Sequence, residues 1–201
     1  MNRNLQYSVD FPGAIWFDGS LQLNTYSVSL QMITANERPI MVAVALERIK
    51  AFVMGELANV LFINSEYHEV AELFDALGAN VCILPADPND PIIGIMLYCK
   101  LLAITEGNLL ISHLDISSTL GGEIWYSHSD EDELGVFAKE GWWHHRGCQT
   151  STLSTDQDSN VLKVDTLGWQ EYGLDWPDVN NGLQATIVKP DFKRNETNTT
   201  R

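Results

Sequence analysis

The segment from Pro91 to Glu106 constrains the fold of this chain more than any other feature. It follows Asp90, a residue type that caps helices, and it ends at Gly107, a residue type that terminates them. Its interior, IIGIMLYCKLLAI, contains a single charge, Lys100. A helix that is apolar on nearly every side must be covered on nearly every side. The segment therefore predicts either the central helix of a domain or a helix at the interface of a twofold homodimer.

Segments with strand and helix patterns alternate along the first two thirds of the chain. Apolar residues recur at every second position in the former and at every third or fourth position in the latter. The predicted strands are 14–17, 21–33, 60–63, 81–84, 109–117 and 123–128, and the predicted helices are 39–58, 65–77 and 91–106. This order predicts an α/β or α+β fold, in which a mixed sheet is covered by about three helices and residues 109–128 form a β-hairpin.

Composition changes after residue 148 and predicts how the chain is divided. Residues 1–148 form the predicted α/β core domain, and the polar stretch 149–160 is a linker or long loop. Residues 161–192 form a β-rich C-terminal extension that packs on the core, with predicted strands near its two ends. Residues 193–201 are expected to be a disordered tail.

The chain is strongly acidic, with 12 Lys and Arg residues against 27 Asp and Glu residues and a formal net charge of −15. Few cations are present to neutralise phosphates, which excludes binding to nucleic acid or an anionic membrane through a broad basic face. A negative charge of this size fits three interpretations. The chain binds a basic protein partner, it mimics nucleic acid, or its acidic residues only keep it soluble. The sequence shows neither a signal-peptide pattern nor an apolar run of membrane-spanning length, so we expect a cytoplasmic protein.

Common catalytic and cofactor-binding templates do not occur in this sequence. It contains no GxxxxGK[ST] phosphate loop, no GxGxxG turn, no HExxH, no GxSxG and no CxxC pair. The three cysteines, Cys82, Cys99 and Cys148, do not form a disulfide pattern. We therefore expect no cofactor.

His113 and Asp115 are the candidate catalytic residues if the protein is an enzyme. They lie two positions apart in a predicted strand, so both side chains point to the same face of the sheet. A carboxylate beside an imidazole can orient it for general base chemistry. The alternative is that both belong to the polar side of a half-exposed strand.

The region 128–148 is rich in residue types that bind metals. These residues are His128, Asp130, Glu131, Asp132, Glu133, His144, His145 and Cys148. His128, His144 and Cys148 are the candidate ligands, although their spacing matches no zinc template. The alternative is a solvated acidic loop followed by a turn anchored by tryptophan.

The same region is also a candidate protein-binding surface. Trp142, Trp143 and Arg146 are residue types enriched at binding hot spots, and the polar surroundings predict that the tryptophans are partly exposed. The acidic residues of this candidate surface, which would steer a basic partner, are Asp130, Glu131, Asp132 and Glu133. The alternative is that the tryptophans fill a core beneath a long loop.

Two segments resemble uncharacterised proteins encoded by tailed bacteriophages. They are IIGIMLYCKLLAITEGNLLISHLDISSTLGGEIWYSH, residues 92–128, and VALERIKAFV, residues 44–53. The resemblance implies a phage protein that acts in the cytoplasm of an infected bacterium. It brings no functional motif, so no catalytic residue follows from it.

Two classes of function are consistent with these patterns. The first is a non-enzymatic acidic interaction or regulatory protein that binds a host or phage protein. The second is a metal-dependent hydrolase, or another small-molecule enzyme, that uses His113, Asp115, His128 and His144. Metal analysis of the purified protein distinguishes the two classes, because only the hydrolase requires a stoichiometric metal.

Overall fold

The structure is a computed structural model that describes residues 3–35, 38–148, 150 and 168–177. The strands are β1 (Asn4–Phe17), β2 (Ser20–Thr34), β3 (Val60–Asn64), β4 (Val81–Leu84), β5 (Leu109–Ser118) and β6 (Tyr126–His128). The helices are α1 (Pro39–Ala51), α2 (His68–Ala76) and α3 (Asp90–Thr105). The strands form one mixed sheet in the order β4-β3-β1-β2-β5-β6, which confirms the predicted fold class of a mixed sheet with three helices.

The direction of the strands brings four strand ends to one edge of the sheet. β1, β3 and β4 are mutually parallel neighbours, and β5 runs the same way as β1 because both are antiparallel to β2. We call the edge where β1, β3, β4 and β5 end the carboxyl edge. In open α/β sheets this is the edge at which ligands usually bind.

β1 and β2 form a long hairpin that begins ten residues earlier than the predicted strand 14–17. Asp18 and Gly19 connect the two strands, and both have positive φ, as a tight two-residue hairpin turn requires. The alternation of Leu5, Tyr7 and Val9 belongs to this strand and packs against the core. The predicted strand 14–17 therefore omitted the first ten residues of β1.

α3 is the central helix of the domain. Met96 and Leu101 have no exposed surface, and α3 contacts β5, β6, α1 and the short helical turn Trp142–His144. Other elements of the same chain cover this helix, so its apolar surface no longer gives a reason to expect a homodimer. The dimer itself stays a prediction. Asn89 rather than Asp90 caps the helix, since the Asn89 side chain accepts a hydrogen bond of 3.0 Å from Ile92 N.

α1 and α3 lie on one face of the sheet, whereas α2 covers part of the other face. Ala71 of α2 packs with Ile63 and Val81 in a small second cluster. No helix in the described ranges is long and apolar enough to cross a membrane. The predicted linker 149–160, extension 161–192 and tail 193–201 lie outside the described residues, except for Thr150 and the segment 168–177.

Segment 168–177 is held on the domain by a buried arginine of α1. Arg48 Nε donates to Leu174 O at 2.8 Å, and Nη1 donates to Glu106 Oε1 at 2.8 Å. The guanidinium carbon lies 3.9 Å from the ring centre of Trp176 and 5.0 Å from that of Trp169. The buried cation is therefore matched by a carboxylate, a carbonyl and two aromatic rings.

Candidate functional site

The segment between β6 and the end of the predicted core, residues 129–148, crosses over α3, and we call it the strap. Lys100 of α3 holds it from below. Lys100 Nζ donates to three strap carbonyls, at 3.3 Å to Trp142 O, 2.8 Å to His145 O and 2.6 Å to Gly147 O. Burial lowers the pKa of Lys100 to about 8, and the three carbonyls compensate for the water that the ammonium group loses.

The strap tryptophans are core residues, so the prediction that they are partly exposed is wrong. Trp142 and Trp143 are 4% and 8% exposed and pack edge to face. Trp142 Nε1 donates to Ile83 O at 3.0 Å, and Trp143 Nε1 donates to Phe137 O at 3.0 Å. The physical reason is that α3 supplies an apolar surface while backbone carbonyls satisfy both indole N–H groups.

The charged residues of the strap remain at the surface. The exposed acidic residues are Asp130, Glu131, Asp132 and Glu133. The Arg146 side chain is also exposed, and its Nη1 lies 3.7 Å from Glu106 Oε2. The strap thus keeps its predicted charge but has no exposed tryptophan anchor beside it.

The candidate metal ligands His128, His144 and Cys148 do not converge. The His128 ring packs against α3 at Gly94, where a side chain would collide with it. His144 Nε2 lies 2.7 Å from Phe137 O, and Cys148 is buried. Within the described part of the chain, no three His, Cys, Asp or Glu residues are arranged to hold a metal ion.

His113 and Asp115 share the face of β5 that the sequence predicts. His113 Nε2 lies 3.6 Å from Asp115 Oδ1, and the same oxygen accepts a hydrogen bond of 2.5 Å from Ser127 Oγ. The serine hydroxyl therefore points to the carboxylate and not to the imidazole. This arrangement lacks the nucleophile–base contact of a hydrolytic triad.

A cavity at the carboxyl edge is the site that sequence reasoning missed. This carboxyl-edge pocket has a volume of about 250 Å³ and lies between the β1–β2 turn, the start of α3 and the turn 119–125. The buried polar side chains that line it are Asn24, Asp90 and Tyr26. They come from elements far apart in the sequence, and Asp90 had been interpreted only as a helix cap.

Asp90 presents a buried carboxylate to the pocket. Ser118 Oγ donates to Asp90 Oδ1 at 2.7 Å and lies 2.9 Å from Oδ2. Gly121 N donates to the same hydroxyl at 3.1 Å, and a side chain at position 121 would collide with the carboxylate. Glycine at this turn therefore allows the backbone to approach Asp90.

Tyr26 presents a buried hydroxyl that makes no hydrogen bond within the described part of the chain. Its ring stacks on Phe11 and meets Phe62 edge to face. Burial raises the pKa of Tyr26, the neighbouring Asn24 side chain opposes this shift, and the Asp90 carboxylate adds to it. The hydroxyl is therefore protonated at neutral pH and keeps an oxygen lone pair available.

Large apolar side chains are exposed on the turns at this edge of the sheet, and we call them the carboxyl-edge patch. They are Phe17, Leu21, Leu23, Leu120, Ile124 and Trp125, and each is between 45% and 79% exposed. The turns that build this edge, residues 17–25, 85–91 and 119–126, contain no Lys or Arg. Their four acidic residues are Asp18, Asp87, Asp90 and Glu123. The edge is thus both apolar and negatively charged.

Comparisons with known proteins assign no family to the chain. No protein-family model matches it, and no curated protein is significantly similar to it in sequence. An uncharacterised protein from Wolinella succinogenes of known structure superposes with a TM-score of 0.48 at 12% identity, over 65% of this chain and 99% of that protein. Similarity at this level supports no functional conclusion.

Proposed function

We propose that this chain is a non-enzymatic interaction protein that binds a basic protein partner through the carboxyl-edge patch. The observation that carries the proposal is the exposure of Leu23, Ile124 and Trp125, which are 79%, 57% and 53% exposed. Large apolar side chains that are exposed together at one edge of a protein are typical of sites that bind another protein.

Hydrogen bonds support the view that the two turns form one surface. Thr119 N donates to Thr25 O at 3.1 Å. Asn24 Oδ1 accepts from Leu120 N at 3.0 Å and from Thr119 Oγ1 at 2.8 Å. These bonds place the turn after β5 beside the start of β2 at the carboxyl edge. Phe17 and Leu120 line the pocket there. Leu23 alternates with the pocket residues Asn24 and Tyr26 along β2, so it lies on the other face of the sheet.

Charge supports a basic partner. The three turns that build the edge contain acidic residues but no Lys or Arg, and the whole chain has a net charge of −15. Such a surface attracts basic proteins and repels nucleic acids and other acidic surfaces. With the sequence resemblance, we extend the proposal to a phage protein that binds a host or phage protein in the bacterial cytoplasm.

Capture experiments with matched variants test the proposal. The test variant carries Leu23→Ser, Ile124→Ser and Trp125→Ser, and the control carries Leu73→Ser and Leu77→Ser, two other exposed leucines, at 59% and 74% exposure. We expect the wild type and the control to capture the same basic protein from bacterial lysate and the test variant to lose it. The purified partner should then bind more weakly as salt concentration rises.

Equal capture by the test variant and the wild type would contradict the proposal, as would a captured partner that is acidic. Metal analysis of the purified protein provides a second check. A stoichiometric bound metal would favour the hydrolase that the sequence left as the alternative, and would count against a purely non-enzymatic role.

A further inference from the structure

We infer that the carboxyl-edge pocket binds the guanidinium group of an arginine side chain that the partner presents, with Asp90 as the acceptor. This inference rests on the function proposed above and names the chemistry of its central contact. Four features of the described residues support it. They are the unpaired charge of the Asp90 carboxylate, the buried hydroxyl of Tyr26, the apolar and aromatic walls of the pocket, and the contacts that hold Arg48 elsewhere in the same chain.

Asp90 is a buried carboxylate with no cationic partner among the described residues. It is 6% exposed, and no Lys or Arg of the described ranges lies within ion-pair distance of it. The Ser118 hydroxyl has one hydrogen to donate, so it satisfies only part of the acceptor capacity of the two carboxylate oxygens. A buried carboxylate is stabilised most by a cation that also donates hydrogen bonds.

Tyr26 supplies a second acceptor at the same pocket. Its hydroxyl is fully buried, and no group of the described residues makes a well-aligned hydrogen bond with it, although the Asn24 side chain lies close by. Leaving such a group unpaired is costly, and a donor from a ligand would remove that cost. Asn24 Oδ1 is not available as a further acceptor, because Thr25 N, Thr119 Oγ1 and Leu120 N already donate to it.

The remaining walls suit the apolar part of an arginine side chain. Phe17, Leu120 and Tyr126 line the pocket, whose volume of about 250 Å³ has room for a guanidinium group with its methylene chain. A planar guanidinium donates in a fork to a carboxylate and stacks on aromatic rings. An ammonium group has neither property, so arginine fits these walls better than lysine.

Arg48 shows how this chain already holds one arginine. Its guanidinium pairs with a carboxylate, Glu106, at 2.8 Å and lies against the rings of Trp169 and Trp176. The carboxyl-edge pocket offers the same combination, Asp90 with the aromatic residues Phe17 and Tyr126, from the opposite end of α3. An arginine from the partner would supply the guanidinium group that completes the same arrangement of carboxylate, aromatic rings and cation.

The test uses N-acetyl-L-arginine amide as the probe and titrates it into the full-length ¹⁵N-labelled protein. N-acetyl-L-citrulline amide, which has the same shape without the charge, and N-acetyl-L-lysine amide serve as controls. We expect the arginine probe to shift the amide signals of Gly121 and of the first turn of α3, and to bind at least about tenfold more tightly than citrulline, since it adds a charge-assisted contact.

Two variants examine the acceptors. Asp90→Asn should weaken the arginine probe at least about tenfold, whereas Asp87→Asn, an exposed carboxylate in the same loop, should leave binding unchanged. Tyr26→Phe should weaken binding several-fold without lowering the melting temperature, because the hydroxyl has no partner inside the described chain. Tyr26→Phe also keeps the test decisive if Asp90→Asn fails to fold.

Equal binding of citrulline and arginine would overturn the inference, and so would arginine binding that survives both Asp90→Asn and Tyr26→Phe.

Failure of the arginine contact and failure of the proposed interface give different results. If the partner is captured equally by wild type and Asp90→Asn, the arginine contact is wrong and the interface stands. If the arginine probe binds at Asp90 but no basic partner depends on the carboxyl-edge patch, the pocket serves a free guanidinium compound and the proposed interface is wrong.

Discussion

The strap and the turn 119–125 contain similar residues but expose them very differently. Both are irregular segments that border the sheet and contain tryptophan. Trp142 and Trp143 in the strap are nearly fully buried, whereas Trp125 in the turn is 53% exposed. The strap lies over α3, whose Lys100 binds three of its carbonyls, while no hydrogen bond among the described residues engages the Trp125 side chain.

This difference shows that a high content of tryptophan does not by itself make a loop a binding surface. What decides its exposure is whether a packed element offers an apolar surface and acceptors for the indole N–H group. α3 offers both to the strap. The apolar side chains of the turn meet solvent, and they are therefore the ones available to a partner.

The largest effect that tests this comparison is a difference in stability between two tryptophan variants. Trp143→Ala should lower the free energy of unfolding by about 3–5 kcal/mol, because it removes a buried ring that packs on Phe137 and Trp142. Trp125→Ala should change it by no more than about 0.5 kcal/mol, because the side chain is exposed. Urea denaturation of both variants and the wild type measures the difference, and equal losses would contradict the comparison.

Regular periodicity explains why much of the fold could be predicted. Strands β3 and β4 and helix α3 were found within a residue or two, since each is a short, uninterrupted pattern bounded by turn residues. The first ten residues of β1 lay outside the predicted strand 14–17, and Pro12 lies within this part of β1. Proline is unusual inside a sheet, so a local pattern favours a strand that begins after it.

The candidate site could not be predicted from local patterns. Tyr26, Asp90 and Ser118 lie on β2, α3 and β5, and only the sheet order brings them together. One signal was present in β2. Leu21 and Leu23 are apolar at odd positions, although the core side of this strand is formed by even positions such as Tyr26. Apolar residues in the wrong phase indicate an exposed patch.

A second, smaller effect concerns the covered side of α3, where His128 precedes the strap. Its ring is buried against Gly94, and its Nε2 has no hydrogen-bond partner among the described residues. Burial lowers the pKa of His128 below its ordinary value of 6.5. As the pH falls through 6.5, the unfolded chain takes up the proton first, so the stability of the fold decreases.

We therefore expect the free energy of unfolding to fall between pH 7.5 and pH 5.5 in the wild type, and to fall less steeply in His128→Gln. His68→Gln is the matched control, since His68 is exposed and should leave the slope of the wild type unchanged. Chemical denaturation at several pH values measures the slopes. Identical slopes for all three proteins would show that His128 is not the buried titrating group.

The smallest effect concerns the acidic residues of the strap, which the sequence placed in the binding surface. The variant to make combines Asp130→Asn, Glu131→Gln and Glu133→Gln. Asp132 is kept because its Oδ2 accepts a hydrogen bond of 2.7 Å from Ser129 N. All three replaced side chains are exposed, so we expect the free energy of unfolding to change by no more than about 0.5 kcal/mol.

Binding kinetics decide which of the two regions meets the partner. Charges remote from an interface steer the encounter, so the strap variant should associate with the basic partner more slowly, show a weaker salt dependence and dissociate at the unchanged rate.

The matched variant Asp18→Asn with Glu123→Gln removes two charges beside the carboxyl-edge patch, and Trp125→Ala removes an apolar contact of the patch itself. If the partner sits on the patch, the matched variant slows association more than the strap variant does, and Trp125→Ala speeds dissociation. Faster dissociation from the strap variant alone would move the interface back to the strap, because charge contacts would then hold the partner there without the buried tryptophans.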